Sequence, residues 1–217
     1  ATAGSVCTLR AAIQQANSTG GAVIINFGIG SGAQTLTPAS AYPTVLGAFT
    51  IDATTQPGFT NAPLIEINGT SAGASTSAFV ISGSGATVRG FVINRFKKSG
   101  IIINQPNVTV DTNYIGTLAN GSTTSPNDDI AIKINASNSM IGSTSANAKN
   151  IIVSKTNVSV DTVQVVSGNA NTIIGNYINV NSAGTGVIVN GYVGINVLAA
   201  ATSTVIGGNG SQYANTI

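Results

Sequence analysis

Six carboxylates are the whole acid inventory of this chain: Asp52, Glu66, Asp111, Asp128, Asp129 and Asp161. There is no His, so Ser-His-Asp and Cys-His nucleophilic sites are excluded. Glycoside hydrolysis needs two carboxylates about 5–9.5 Å apart across one bond. The adjacent pair Asp128-Asp129 does not meet that need on a strand, where neighbouring side chains point to opposite faces. Following Ser125-Pro126-Asn127, the pair reads as a solvated turn. Asp111 and Asp161 occupy related phrases, Val110-Asp111-Thr112 and Val160-Asp161-Thr162. On one face of a stack two or three coils apart they would be separated by ~10–14 Å, too far to share one ion. Both read as structural residues at strand-to-turn junctions. No phosphate loop and no metal-ligand spacing appears. The sequence therefore predicts no catalytic residue, no cofactor and no metal. The lone thiol, Cys7, permits no intrachain disulfide and reads as a small buried apolar group.

Composition narrows the remaining classes. Charged residues make up 6% of 217, against a usual ~25%, and the net charge is +2. Nucleic-acid binding needs a basic stripe. The one basic cluster, Arg95 with Lys97-Lys98, reads as a solvated turn. No apolar run reaches the ~18–20 residues of a membrane span. The polar surface must instead be built of Ser, Thr, Asn and Gly, which favour turns and hydrogen-bonded ladders over helix surfaces. Glycosylation sequons at Asn17, Asn68, Asn107, Asn120, Asn135, Asn157 and Asn209 are about as numerous as this composition produces by chance.

The elements that must carry these residues announce themselves by repetition. Ser139-Met140-Ile141-Gly142-Ser143, closing with Ala148-Lys149-Asn150-Ile151-Ile152, is echoed by Thr204-Val205-Ile206-Gly207-Gly208, closing with Tyr213-Ala214-Asn215-Thr216-Ile217. The echo is gapless at about 65 residues, which divides into roughly three coils of ~21 residues. Asn113-Tyr114-Ile115-Gly116 recurs as Asn176-Tyr177-Ile178-Asn179. Short β-branched runs bounded by Gly, Asn, Ser or Pro follow residue 22, among them Val23–Phe27, Val88–Ile93, Ile130–Ile134, Val158–Val160 and Val187–Val189. Their length suits the short faces of a coil whose inward Ile and Val stack into a column. Asn after a strand (Asn68, Asn94, Asn104, Asn135, Asn179, Asn190, Asn196) fits left-handed turns that stack on one another. Residues 8–17 read as a helix with Thr8 as N-cap and Leu9, Ile13 and Ala16 on one face.

Cys7-Thr8-Leu9-Arg10-Ala11-Ala12-Ile13 resembles the Cys-Ser-Leu-Arg-Glu-Ala-Ile segment that opens many secreted and cell-surface repeat proteins of bacteria. Thr8 stands for Ser and Ala11 for Glu. Ile51-Asp52-Ala53-Thr54-Thr55-Gln56-Pro57-Gly58-Phe59 and Asn113-Tyr114-Ile115-Gly116-Thr117 look like recurring phrases of the same group. The resemblance implies an all-β, right-handed parallel β-helix of the pectin-lyase-like kind, and an extracellular location. It fixes no activity.

The expectation is a single domain, 1–217, of about nine to ten coils, with 1–22 as an N-terminal cap segment and 23–217 as coils. Leu9, Ile13 and Ala16, with Cys7 beside them, would cover the first coil and touch a neighbouring subunit. Asn215, Thr216 and Ile217 would form an uncapped end. The predicted function is a non-enzymatic structural or adhesive surface protein that self-associates end to end as a filament subunit through such ends. A glycan or cell-surface partner is compatible with it, whereas nucleic acid and membrane insertion are not. The alternatives are a polysaccharide-binding or polysaccharide-degrading β-helix and a fragment of an adhesin stalk.

Overall fold

The computed structural model describes residues 7–145, 148–156, 159–189 and 193–217. Three parallel sheets and one helix form a parallel β-solenoid. The seven-stranded sheet runs Ile24–Asn26, Thr50–Asp52, Thr87–Arg89, Thr109–Asp111, Met140–Gly142, Thr172–Ile174 and Val205–Ile206. The six-stranded sheet runs Gln34–Leu36, Ile65–Asn68, Phe91–Asn94, Tyr114–Ile115, Ile151–Ile152 and Tyr177–Ile178. The five-stranded sheet runs Phe79–Ile81, Ile101–Ile103, Ile132–Ile134, Asp161–Asn169 and Val193–Thr202. Each coil visits the three sheets in that order, and alternation turns every second side chain inward. Ile51, Val88, Val110, Ile141 and Ile173 thereby form one fully buried column.

The expected nine to ten coils are not found: the largest sheet has seven strands. A coil takes between 22 residues (Val88 to Val110) and 37 residues (Ile51 to Val88), so ~21 was too short a unit. The long echo spans two coils, through the register Ile141–Ile173–Ile206. Successive coils place their extra residues at different corners. After Tyr114–Ile115 and after Tyr177–Ile178 the chain makes a projecting arm, closed by the antiparallel bridges Thr117–Thr124 and Val180–Val187. The coil between them instead spends its extra residues between Met140–Gly142 and Ile151–Ile152. The arms touch across the intervening rung, with Ser122 Oγ 3.3 Å from Ser182 Oγ and Ser182 Oγ donating to the Asn120 carbonyl at 3.2 Å. Val187–Val189 is therefore the return of an arm and not a core strand. Val158 lies outside the described residues.

One corner is held by buried asparagines that precede strands. Asn113, Asn150 and Asn176 are buried, and Asn215 continues the row. Asn113 N–H donates to Asn150 Oδ1 (2.9 Å), and Asn176 N–H donates to Asn215 Oδ1 (3.0 Å). Asn150 Nδ2 donates to the Val110 carbonyl (2.8 Å) and to Asn176 Oδ1 (2.9 Å). Asparagines that follow strands also bond from one coil to the next, as where Asn135 Nδ2 donates to Asn104 Oδ1 at 2.8 Å. At another corner five successive coils each turn through one left-handed residue: Gly85, Asn107, Asn138, Ala170 and Ser203.

The helix spans Leu9–Thr19, two residues beyond the expected end. Thr8 caps it by accepting from Ala11 N–H at 3.2 Å, and Gly20 ends it at φ 68°. Leu9, Ile13 and Ala16 are buried in the solenoid's own core. Arg10 ties the helix to the following loop by donating to the Ala41 and Ser40 carbonyls.

Two outcomes follow. Asn150→Ala strands the Asn113 N–H in a buried corner, and should cost about 1–3 kcal/mol, read by urea unfolding. Ala170→Asn should raise the urea midpoint, because Ala in the left-handed region costs roughly 1–2 kcal/mol that Asn largely avoids.

Candidate functional site

The carboxylates are dispersed, and each has partners. Asp52, Arg89 and Asp111 are in register on the outer face of the seven-stranded sheet. Arg89 Nε lies 3.9 Å from Asp52 Oδ1 and 3.3 Å from Asp111 Oδ1, so one guanidinium serves two carboxylates. The Nε contacts are Coulombic, since that buried atom makes no well-aligned hydrogen bond. Thr54 donates to Asp52, and Thr112 Oγ1 donates to Asp111 Oδ1 at 2.6 Å. Burial pushes the Asp111 carboxyl above its ordinary value. The Thr112 hydroxyl and Arg89 pull it back, while Asp52 adds to the rise.

Glu66 accepts from Thr35, Asn94 and Arg95, the last at 3.2 Å. Asp128 lies in a turn between Lys97 Nζ (3.1 Å) and Lys155 Nζ (2.8 Å), and these two cations hold its carboxyl below the usual range. Asp129 accepts from Ser99. Of the basic cluster, Arg95 and Lys97 are spent on Glu66 and Asp128, whereas Lys98 has no acidic partner among the described residues. Asp161 accepts from Gln164 and Asn196 on the five-stranded sheet. The structure does not put Asp111 and Asp161 on one face, because they belong to different sheets. Among the described residues no three His, Cys, Asp or Glu side chains converge as metal ligands.

The residues singled out at the N-terminal end are placed differently from one another. Leu9, Ile13 and Ala16 are buried, so their apolar face is filled by this chain and is closed to a neighbour. Cys7 is exposed, contrary to expectation: it precedes the N-cap, outside the turns that face the core. It borders a groove of about 510 Å³ with Leu9, Ile29, Leu36, Pro38 and Tyr42 along its walls. Burial pushes the Tyr42 hydroxyl up to about 12, against the opposing charge of Arg10. At the other end, Asn215 sits in the asparagine row and Thr216 bridges to Tyr177. Val205, Ile206 and Ile217 are 51%, 48% and 61% exposed. No charged residue follows Asp161.

Sequence reasoning missed the Asp52–Arg89–Asp111 row. Its one visible trace is the Thr-x-polar phrase shared by Thr50-Ile51-Asp52, Thr87-Val88-Arg89 and Thr109-Val110-Asp111. Thr50, Thr87, Thr109 and Thr172 occupy one outward position of the sheet, interrupted by Met140.

The raised Asp111 carboxyl sets a pH signature. Its charged form costs stability above the folded-state value, and the cost vanishes below the unfolded value of about 3.9. Asp111→Asn should therefore be at least as stable as the parent at pH 7 in urea unfolding, with the advantage gone at pH 3. A variant weaker at pH 7 than at pH 3 would show that Arg89 outweighs burial there. Neither a protein-family model nor a curated protein matches the chain.

Proposed function

We propose that the chain is a non-catalytic structural element of the cell exterior, a right-handed pectin-lyase-like β-helix whose copies associate end to end. Handedness follows from the general preference of parallel crossovers, right-handed in about 98% of cases. The observation that carries the reading is the pair of half-exposed apolar side chains Val205 and Ile206 within a stretch, Thr162–Ile217, that holds no charged residue. Exposed apolar surface of this kind can be covered by a second copy, and the lack of charge adds no repulsion to such a contact. Four of the six carboxylates are instead engaged with basic side chains, as in the Asp52–Arg89–Asp111 and Lys97–Asp128–Lys155 groups. A contact between unlike ends propagates into a fibre unless it closes into a ring. An extracellular location is part of the proposal and rests on the resemblance of the N-terminal segment. No helix among the described residues is long and apolar enough to cross a membrane.

The second reading is a polysaccharide-binding or polysaccharide-cleaving surface, favoured by the outward threonine column beside Arg89. Two measurements separate them. Light scattering and electron microscopy of the purified chain should show concentration-dependent end-to-end assemblies, reduced by Ile206→Glu. A chain that stays monomeric at high concentration without filaments overturns the assembly. Release of reducing or unsaturated ends from acidic polysaccharides, abolished by Asp111→Ala or Arg89→Ala, would establish the enzymatic reading instead.

A further inference from the structure

Three Asn-Gly pairs fall within the described residues, and the fold treats them very differently. Asn68 Oδ1 accepts from Thr70 N–H and Thr70 Oγ1, and Gly69 is buried in a short 3-10 turn with Phe96 packed where a Cβ would stand. Asn120 Oδ1 accepts from Ser122 N–H and Thr123 N–H, its Nδ2 donates to Thr123 Oγ1, and Gly121 N–H donates to the Leu118 carbonyl. Asn209 is exposed, and among the described residues its side chain has no hydrogen-bond partner. Gly210 is exposed too, sits at φ 115°, and has no acceptor for its N–H among the described residues.

We propose that Asn209-Gly210 is a built-in site of spontaneous backbone modification, deamidation through a succinimide. The Gly210 amide nitrogen, after losing its proton to solvent base, attacks Asn209 Cγ. An N–C bond forms, the Cγ–Nδ2 bond breaks, and the amide nitrogen departs as ammonia. Water then opens the five-membered ring at either carbonyl, giving aspartate or isoaspartate at position 209. No oxidant, enzyme or cofactor takes part. The attack needs a free nucleophile, a free amide and no Cβ on the following residue. Asn209-Gly210 meets all three conditions, whereas Asn120-Gly121 has both its amide and its nucleophile engaged. Breaking those bonds first corresponds to a rate disadvantage on the order of tenfold or more.

The site is consequential because of where it lies. The loop Gly207–Gly210 leads through the 3-10 turn Ser211–Tyr213 into Asn215, the half-buried residue that continues the asparagine row. Conversion places the first negative side chain anywhere after Asp161. The isoaspartate product also routes the main chain through the side chain and lengthens the approach to Asn215. The chemistry is independent of the assembly proposed above.

The test is ageing of the purified folded chain at mildly alkaline pH, followed by peptide mapping with fragmentation that separates aspartate from isoaspartate. Asn209 should convert at least about tenfold faster than Asn68 and Asn120 in the folded chain. All three should convert at similar rates in the urea-unfolded chain. Gly210→Ala should slow conversion at Asn209 alone. Equal rates in the folded chain, faster conversion at Asn68 or Asn120, or an Asn209 side-chain nitrogen already occupied by a glycan would each overturn the proposal. Monomer or filament, the ageing result reads the same, so its failure is distinct from failure of the assembly.

Discussion

A solenoid corner must turn the chain sharply while burying peptide groups that have no neighbour of their own strand to bond. The row Asn113, Asn150, Asn176 and Asn215 answers that constraint. The side chains mimic peptides: Asn113, Asn150 and Asn215 accept from main-chain N–H groups, Asn176 accepts from Asn150 Nδ2, and all four donate to carbonyls. Buried polar groups of this kind are tolerated only when every member is satisfied. The row therefore fixes the rung register as firmly as the isoleucine column beside it. A slip of one residue would expose the column and orphan the row together.

The charged groups follow the same stacking logic on the outside. Arg89 sits between carboxylates from the rung below and the rung above, and Lys97 and Lys155 sit on either side of Asp128. Partners in these groups lie tens of residues apart in the chain. A sequence with so few charges can keep them paired only if the coil lengths bring them into line. Half-exposed pairs of this kind add little stability individually. Their effect is to neutralise four of the six carboxylates across neighbouring rungs.

Much of the architecture was legible in the residues. Short β-branched runs and the capped amphipathic helix are local patterns and the long echo is a gapless repeat, so each could be read without the fold. The coil length was not legible. Two consecutive coils place their extra residues at different corners, so the sequence repeats visibly only after both. The roles of the asparagines were also half hidden. Those after strands stood out by position, whereas Asn113, Asn150 and Asn176 precede strands and reveal their role only through partners 26 to 40 residues away. The exposure of Cys7 depended on where the helix begins to face the core, at Leu9, two residues after the thiol. The Asp52–Arg89–Asp111 row left only its Thr-x-polar phrase, because Ile51 to Val88 and Val88 to Val110 are such unequal steps.

The paired arms bear on how such a chain can change its length. Ser182 reaches Asn120 and Ser122 over an armless rung, and Tyr114, Ile151 and Tyr177 pack with Val153 and Val189 in the small apolar cluster beneath. Removing or duplicating one coil here would bring an armless rung where an arm is needed, and uncover that cluster. Removing or duplicating two coils together preserves both. Growth of this part of the solenoid is thus quantised in coil pairs, and inheritable length variants of it should differ by about 65 residues and not by half that amount.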